Sequence, residues 1–318
     1  MTVLGGSGVR VSALGFGGAV IGNLYREVSE AAAAETVAAA WDAGVRYFDT
    51  APHYGLGLAE RRLGAALAGR ARNEFSVSTK VGRILEPVPN PGRTRDVAGG
   101  FAVPADFARR WDFSAHGVRR SLESSVDRLG LDHVDLVLLH DPDEHWAQAI
   151  AEAYPALHEL RSQGVVGAIG VGMNQWQMLR RFVTDTDVDA VMLAGRYTLL
   201  DSSGEPLLDE CARRGVSVLA AGVFNGGVLA TDDPTAHAVY DYLPASPQVV
   251  GRARRMVEIC RRHGVALPQA AIAHAARHPA VASVVLGARS PEEVRRNAEL
   301  FRAPVPEELW EELAAAGP

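Results

Sequence analysis

The sequence predicts an α/β protein, a (β/α)8 TIM barrel with long loops at its C-terminal face. Three observations favour this fold. Short apolar runs alternate with helical patterns, the unit recurs at roughly 35–40 residues, and several helical patterns end at a glycine just before an apolar run. A doubly wound open sheet is the main alternative, but residues 14–22, LGFGGAVIG, lack the G-x-G-x-x-G spacing that it would need.

Eight candidate strands follow one another along the chain. Most are rich in β-branched residues, as expected of parallel strands that are buried on both faces. The first is the weakest candidate. The eight candidate strands are residues 14–17, 45–48, 75–78, 134–139, 166–171, 190–193, 216–219 and 281–286.

Helical patterns occupy the intervals between these strands. Gly44, Gly164, Gly215 and Gly264 stand where a helix C-cap is expected. The predicted helices are residues 29–43, 59–68, 114–129, 147–162, 174–182, 204–214, 247–263 and 291–300.

Three segments exceed the repeating unit. Residues 84–112 and 225–246 are predicted to be long loops after the third and seventh strands, on the face where barrels carry their active sites. Residues 306–316 indicate an extra helix outside the repeat. With the surplus length placed there, we predict one barrel domain over residues 1–318.

Composition narrows the possible functions. Lys and Arg total 32 against 38 Asp and Glu, which gives a net charge of −6 and argues against nucleic-acid binding. The sequence shows neither a secretory signal nor an apolar run long enough for a membrane helix. Cys211 and Cys260 lack the spacing of a disulfide framework or a zinc site. We expect a cytoplasmic protein, monomeric or weakly homo-oligomeric, that acts on a small molecule without a metal.

Polar residues end several of the predicted strands. Asp49, Lys80 and His140 follow the second, third and fourth strands, and Tyr54 comes five residues after Asp49. Each has an ordinary structural interpretation when taken alone: a turn or cap for Asp49, a solvated strand end for Lys80, and packing for Tyr54 or His140. Because strand ends converge at one mouth of a barrel, their coincidence favours a catalytic site.

These four residue types make chemical sense together. A free tyrosine has a pKa near 10, and a lysine cation beside it lowers that pKa. A buried lysine needs a counter-ion, which Asp49 can supply, and His140 can orient the substrate oxygen. The set suits carbonyl/alcohol interconversion by proton transfer.

Several stretches resemble the aldo-keto reductase family, and the match spans nearly the full length. The resemblance implies that Asp49, Tyr54, Lys80 and His140 form the catalytic tetrad and that a nicotinamide cofactor, NAD or NADP, binds at the barrel mouth. The stretches are 44–55 (GVRYFDTAPHYG), 78–82 (STKVG), 122–132 (LESSVDRLGLD), 136–141 (LVLLHD) and 164–171 (GVVGAIGV).

A narrower resemblance concerns the substrate. Residues 111–114 (WDFS), 139–145 (LHDPDEH), 172–175 (GMNQ) and 222–227 (GVFNGG) resemble the D-threo-aldose 1-dehydrogenase group, which also includes L-galactose and pyridoxal 4-dehydrogenases. It implies oxidation of the C1 hydroxyl of an L-fucose, D-arabinose or L-galactose type of aldose to a lactone. The alternatives are an NADPH-dependent reductase of small aldehydes or ketones, a pyridoxal 4-dehydrogenase, and a non-enzymatic redox-sensing subunit.

The resemblance also assigns cofactor and substrate residues. Ala194 and Ala221 replace a usual Gln and a usual stacking Tyr, and Glu293 replaces an Arg that often holds a 2′-phosphate, so NAD is the expected cofactor. Aromatic and histidine side chains suit sugars because each has an apolar face and a polar edge. The assigned cofactor residues are Asn174, Phe224, Asn225, Gly227, Gly287, Arg289, Glu293 and Asn297, and the substrate residues are Tyr25, His53, Trp111, His145 and Trp146.

Overall fold

Eight parallel strands form a closed barrel in the computed structural model, which describes residues 1–235, 237–241 and 243–315. The barrel closes where Val284 of the last strand pairs with Leu14 of the first. This confirms the predicted (β/α)8 class, including the weak first strand. The barrel strands, numbered first to eighth below, are Leu14–Gly17, Tyr47–Asp49, Ser76–Val81, Leu136–His140, Ala168–Met173, Ala190–Ala194, Ser217–Ala221 and Val281–Leu286.

Helices surround this barrel at nearly the predicted positions. Ser29, Ser114, Ser246 and Ser290 each accept a hydrogen bond from a backbone N–H three residues later, which satisfies an otherwise unpaired donor of the first turn. The helices are Glu30–Asp42, Leu58–Leu67, Ala115–Leu129, Trp146–Gln148, Tyr154–Ser162, Trp176–Asp185, Glu205–Arg214, Pro247–Arg262, Leu267–Ala276, Pro291–Arg302 and Glu307–Ala315, with a π-helical turn at Ala149–Ala153.

The four glycines predicted at helix ends all have left-handed backbone conformations. Their φ angles are 90° at Gly44, 72° at Gly164, 70° at Gly215 and 68° at Gly264. A residue with a Cβ adopts such angles only with strain, so glycine is favoured where each helix stops.

The seventh unit differs from the sequence prediction. Pro247–Arg262 was expected to be the barrel helix, but Leu267–Ala276, which was not predicted, packs against the eighth strand. Pro247–Arg262 instead packs outside it and against Glu307–Ala315. The missed helix is almost entirely apolar and small, so it lacks the amphipathic period by which exposed helices are identified. Residue 316 of the predicted tail helix lies outside the described residues.

An N-terminal hairpin, also not predicted, closes the lower end of the barrel. Thr2–Val3 pairs antiparallel with Arg10–Val11. Leu4 and Val11 are fully buried and pack with interior residues such as Leu136 at the start of the fourth strand. Two-residue strands are too short to give a recognisable alternating pattern.

The two long insertions lie after the third and seventh strands, as expected, but neither is purely a loop. In the first, Arg83–Pro87 pairs with Phe107–Trp111, and in the second Val239–Tyr240 pairs with Leu243–Pro244. Residues 236 and 242 of the second insertion lie outside the described residues. Within the part of the chain that the structure describes, no helix is long and apolar enough to cross a membrane.

Helices Leu58–Leu67 and Ala115–Leu129 approach each other closely at Gly64. A Cβ at Gly64 would stand 1.8 Å from the carbonyl oxygen of Leu129, which is backbone and cannot rotate away. We predict that Gly64→Ala lowers the free energy of unfolding by about 2 kcal/mol or more. In the matched control Gly251→Ala, the nearest atom is 3.8 Å away, and stability should rise by about 0.5–1 kcal/mol. Urea unfolding measures both; equal effects would contradict the prediction.

Candidate active site

Lys80 lies at the centre of a buried polar cluster at the C-terminal ends of the second and third strands. Its Nζ is 2.7 Å from Asp49 Oδ2, 2.9 Å from Asp49 Oδ1 and 3.0 Å from the hydroxyl oxygen of Tyr54. Burial disfavours the charged amine, but Asp49 and Tyr54 outweigh burial and raise the pKa of Lys80 above its ordinary value. Lys80 is therefore a fixed cation beside the phenol.

Asp49 accepts a hydrogen bond from the Ser78 hydroxyl, which is bonded in turn to the Tyr47 hydroxyl. Ser78 Oγ donates to Asp49 Oδ1 at 2.7 Å, and the Tyr47 hydroxyl lies 2.9 Å from Ser78 Oγ. Burial and the nearby Asp49 charge raise the pKa of Tyr47 well above its usual value, so Tyr47 stays a neutral donor. This chain of hydrogen bonds fixes the carboxylate on which the Lys80 ammonium depends.

His140 closes the other side of the cluster from the end of the fourth strand. Its ring centroid is 5.9 Å from that of Tyr54, in an edge-to-face arrangement. Burial and the cations Arg83 and Lys80 hold the pKa of His140 well below its usual range, so the ring is neutral. Its Nδ1 is buried without a partner among the described residues, and its Nε2 is 3.7 Å from Asp141 Oδ2. At 3.7 Å these two atoms do not form a hydrogen bond with each other.

A cavity of about 510 Å³ opens over the cluster and is called the catalytic cavity below. Tyr54, Lys80 and His140 line it together with His53 and Tyr25. Tyr25 is 49% exposed at the mouth, and the His53 ring packs 5.6 Å from His140. Thus two of the predicted substrate residues lie beside three members of the predicted tetrad.

The first insertion forms one wall of the catalytic cavity through residues 97–101. It is fastened to the segment after the first strand, because Tyr25 N donates to Gly100 O at 2.9 Å and Ala102 N donates to Asn23 O at 2.8 Å. Arg109 anchors it from within, bonded to Asp96 and to the carbonyl of His53. These hydrogen bonds hold residues 97–101 in place beside the catalytic cavity.

A second cavity, of about 460 Å³ and called the groove below, runs from the catalytic cavity toward helix Pro291–Arg302. The two cavities share Tyr25, Asn174 and Ala194, and Asn174 Nδ2 is bonded to the carbonyl of Ala194 at 2.9 Å. Ala221 contributes no side chain to this groove, whereas Arg296 does. All eight predicted cofactor residues line it: Asn174, Phe224, Asn225, Gly227, Gly287, Arg289, Glu293 and Asn297.

The groove has features that an extended dinucleotide could use. Asn225 Oδ1 is buried without a partner among the described residues, and a Cβ at Gly227 would project into open space. At the far end, Glu293 accepts a hydrogen bond from the backbone N–H of Arg289 at 2.8 Å. Open backbone at Gly227 allows close approach of a phosphate, and the fixed Glu293 carboxylate suits a ribose hydroxyl.

The remaining predicted substrate residues separate into two places. Trp111 and His145 line a third cavity of about 260 Å³ beside the catalytic cavity. Trp146 lines none of these three cavities; it packs on Phe182, with ring centroids 4.8 Å apart, and under the guanidinium of Arg181. The sequence predicted Trp146 as a substrate residue, but packing against Phe182 and Arg181 holds its ring away from these cavities.

Sequence reasoning missed several residues of this site. Arg83 forms an ion pair with Asp141, and both line the third cavity. Asp141 directly follows His140, which is a signal that could have identified it. Beside the groove, one guanidinium nitrogen of Arg196 donates to both carboxylate oxygens of Asp241. These residues are far apart in the chain, so no local sequence pattern indicates the pair. The described residues contain no group of three or more His, Cys, Asp or Glu that could hold a metal ion.

Comparisons with known proteins agree with this geometry. A protein-family model described as the aldo/keto reductase family matches residues 13–317. The chain belongs to the aldo/keto reductase family. It is thus an oxidoreductase of a family that uses nicotinamide cofactors and small-molecule substrates.

Individual relatives cover almost the whole chain. D-threo-aldose 1-dehydrogenase from Pseudomonas sp. is 46% identical, over 98% of this chain and 95% of its own length. Pyridoxal 4-dehydrogenase from Microbacterium luteolum is 38% identical, over 99% of this chain and 96% of its own. The solved structure of aldo-keto reductase AKR11C1 from Bacillus halodurans (holo form) gives a TM-score of 0.77 at 25% identity, covering 100% of this chain and 96% of that one.

The neutral histidines of the site predict an acid-sensitive fold. Burial and the nearby Arg83 lower the pKa of His53 from 6.5 to about 2. The unfolded chain binds a proton at His53 below about pH 6.5, whereas the folded chain does not. The free energy of unfolding therefore keeps the whole His53 contribution above that pH and loses it progressively as the pH falls toward 2. His53→Asn should reduce the loss by up to about 1.4 kcal/mol per pH unit in urea unfolding between about pH 6 and 4.

The matched variant His116→Asn changes an exposed histidine on helix Ala115–Leu129. It should retain the wild-type dependence of unfolding free energy on pH. The prediction is wrong if the two variants lose stability equally on acidification.

Proposed function

We propose that this protein oxidises the C1 hydroxyl of an aldose to a lactone, with NAD as the preferred hydride acceptor. The observation that carries the proposal is the Lys80 ammonium 3.0 Å from the Tyr54 hydroxyl, under a cavity that two neutral histidines share. The 46% identity to a D-threo-aldose 1-dehydrogenase supports a sugar as the substrate.

In this proposal Tyr54 removes the proton of the anomeric hydroxyl. Tyr54 begins the reaction as a phenolate, whose negative charge the Lys80 ammonium stabilises, and it becomes a neutral phenol when it takes this proton. Asp49 keeps Lys80 charged and in place. The Nε2–H of His140 donates to the substrate oxygen and orients C1. A bound nicotinamide supplies the acceptor for the hydride that leaves C1 as the C1–O bond becomes a carbonyl.

The groove is proposed as the cofactor site. Asn174, held by the Ala194 carbonyl, would position the nicotinamide end, and Phe224, Asn225 and Gly227 would contact the phosphates. Gly287, Arg289, Glu293 and Asn297 would hold the adenosine end. Because Ala194 and Ala221 have small side chains, other residues of the groove would have to contact the nicotinamide ring.

A second candidate is pyridoxal oxidation, which the 38% identity to pyridoxal 4-dehydrogenase supports. The same tetrad serves it, because an alcohol proton and a hydride are again removed. Reduction of small aldehydes uses the same residues in the opposite direction. The substrate that turns over fastest distinguishes these candidates.

A substrate screen tests the proposal. We expect turnover of L-fucose, D-arabinose or L-galactose with NAD, and kcat/KM values above those for pyridoxal with NAD or small aldehydes with NADPH. Tyr54→Phe should lower kcat by roughly 10²–10⁴-fold, because the proton acceptor is lost, while cofactor binding measured by fluorescence persists.

Tyr154→Phe is the matched control, since Tyr154 bonds Asp187 far from the catalytic cavity. It should leave kcat unchanged. Near-wild-type turnover by Tyr54→Phe would remove Tyr54 from its role, and faster pyridoxal oxidation would replace the sugar as substrate.

The Glu293 carboxylate predicts the cofactor preference. A carboxylate repels a 2′-phosphate and accepts a hydrogen bond from a ribose hydroxyl, so kcat/KM should be higher with NAD than with NADP. Glu293→Gln should lower the NAD/NADP ratio roughly tenfold, or about 1.4 kcal/mol. The neighbouring Glu292→Gln, whose side chain does not line the groove, should leave the ratio unchanged. A strong wild-type preference for NADP would contradict this assignment.

A further inference from the structure

The third cavity, called the side cavity below, adjoins the catalytic cavity. The two share Asp141 and Asn174, so these residues form the boundary between them. The rest of its lining is strongly polar, and it consists of Arg83, Trp111, Asp143, Glu144, His145 and Gln175. Within this lining Gln175 donates to Asp143 at 3.2 Å. The hydroxyls of a polyhydroxylated substrate could form further hydrogen bonds with these groups, whereas a simple aldehyde or ketone could not.

The inner wall of the side cavity is the ion pair of Arg83 with Asp141. Its geometry is fixed, because the Arg83 guanidinium lies 4.3 Å from the ring centroid of Trp111, and Trp111 stacks on Phe113 at 6.0 Å. Asp141, the residue after His140, has a left-handed backbone with φ of 45°, and this conformation turns the chain out of the fourth strand. The structure holds a non-glycine residue in this strained conformation at the cavity boundary.

The position of Asp141 relative to His140 suggests what the pair binds. Asp141 Oδ2 is 3.7 Å from His140 Nε2, the atom that would donate to the reacting oxygen of the substrate. In a sugar, the hydroxyl on the next carbon lies about one hydrogen-bond length from that oxygen. A hydroxyl at C2 would therefore come within reach of the Asp141 carboxylate and the Arg83 guanidinium.

We propose that the Arg83–Asp141 pair recognises the C2 hydroxyl of the aldose and that the side cavity receives the hydroxyls beyond it. Asp141 accepts the hydrogen bond from the C2 hydroxyl and Arg83 donates to its oxygen, so both groups stay paired when substrate binds. Arg83 and Asp141 are specificity-determining residues, and the proton and hydride steps stay with the tetrad. This inference rests on the proposed oxidation of aldoses.

The first test needs no variant of the protein. With NAD, kcat/KM for L-fucose and D-arabinose is compared with that for their 2-deoxy counterparts, 2-deoxy-L-fucose and 2-deoxy-D-ribose. We expect the 2-hydroxylated sugars to be preferred by at least about tenfold, because a site built to bind a hydroxyl rejects an analogue that lacks it.

The second test assigns this preference to the pair. Asp141→Asn keeps the shape and removes the charge, and it should bring the ratio of the two kcat/KM values close to one, mainly by lowering the value for the 2-hydroxylated sugar. Arg83→Lys keeps the charge and removes the planar fork, and it should lower the same ratio. Asp42→Asn, an exposed position on helix Glu30–Asp42, is the control and should retain the wild-type ratio.

The outcomes separate this inference from the proposed function. Equal oxidation of sugars with and without the C2 hydroxyl, or an unchanged ratio in both variants, overturns the role of the pair while aldose oxidation stands. Turnover of pyridoxal or small aldehydes but of no aldose overturns the proposed function and this inference with it. If Asp141→Asn does not fold, as judged by NADH binding, then the wild-type comparison and Arg83→Lys decide.

Discussion

The ion pair between Lys80 and Asp49 is the constraint on which the site depends. Asp49 pairs with Ser78 across neighbouring strands, and Lys80 follows Ser78 by two residues, so all three side chains point into the barrel. Removing one partner of a buried pair typically costs about 3–5 kcal/mol, because the other charge is left without compensation. Barrel closure and catalytic geometry are thus two results of the same strand register.

Around this pair, the positive charges of the cavity lie on Lys80 and Arg83, which are held in ion pairs, and not on its histidines. Lys80 and Arg83 hold carboxylate partners, and their charges together with burial keep the pKa values of His53 and His140 low. The two imidazoles are therefore neutral at physiological pH. A neutral imidazole can donate one hydrogen bond and accept another, which suits an uncharged polyhydroxylated ligand better than an anion.

The sequence was sufficient for features that repeat or that follow strands. Alternating runs predicted the barrel, and the strand ends placed Asp49, Lys80 and His140 correctly at its mouth. It was insufficient where tertiary packing decides. Helix Leu267–Ala276 has no polar face to mark it, and Trp146 packs on Phe182 across two helices, a contact that no local pattern encodes. The Arg83–Asp141 pair lies just beyond the paired ends of the third and fourth strands, where Val81 pairs with Leu139, so it depends on the register of two strands that are distant in the chain.

The N-terminal hairpin restricts how substrate and product can enter and leave the barrel. Leu4 and Val11 fill the end of the barrel opposite the tetrad, so the interior does not open at that end. Substrate must enter, and product must leave, through the mouth that Tyr25 and residues 97–101 surround. Because the groove shares Tyr25 and Asn174 with this mouth, an occupied groove would form part of the floor on which the substrate lands. The two ligands would therefore share one entrance, and a substrate bound there would stand in the way of a ligand entering the groove.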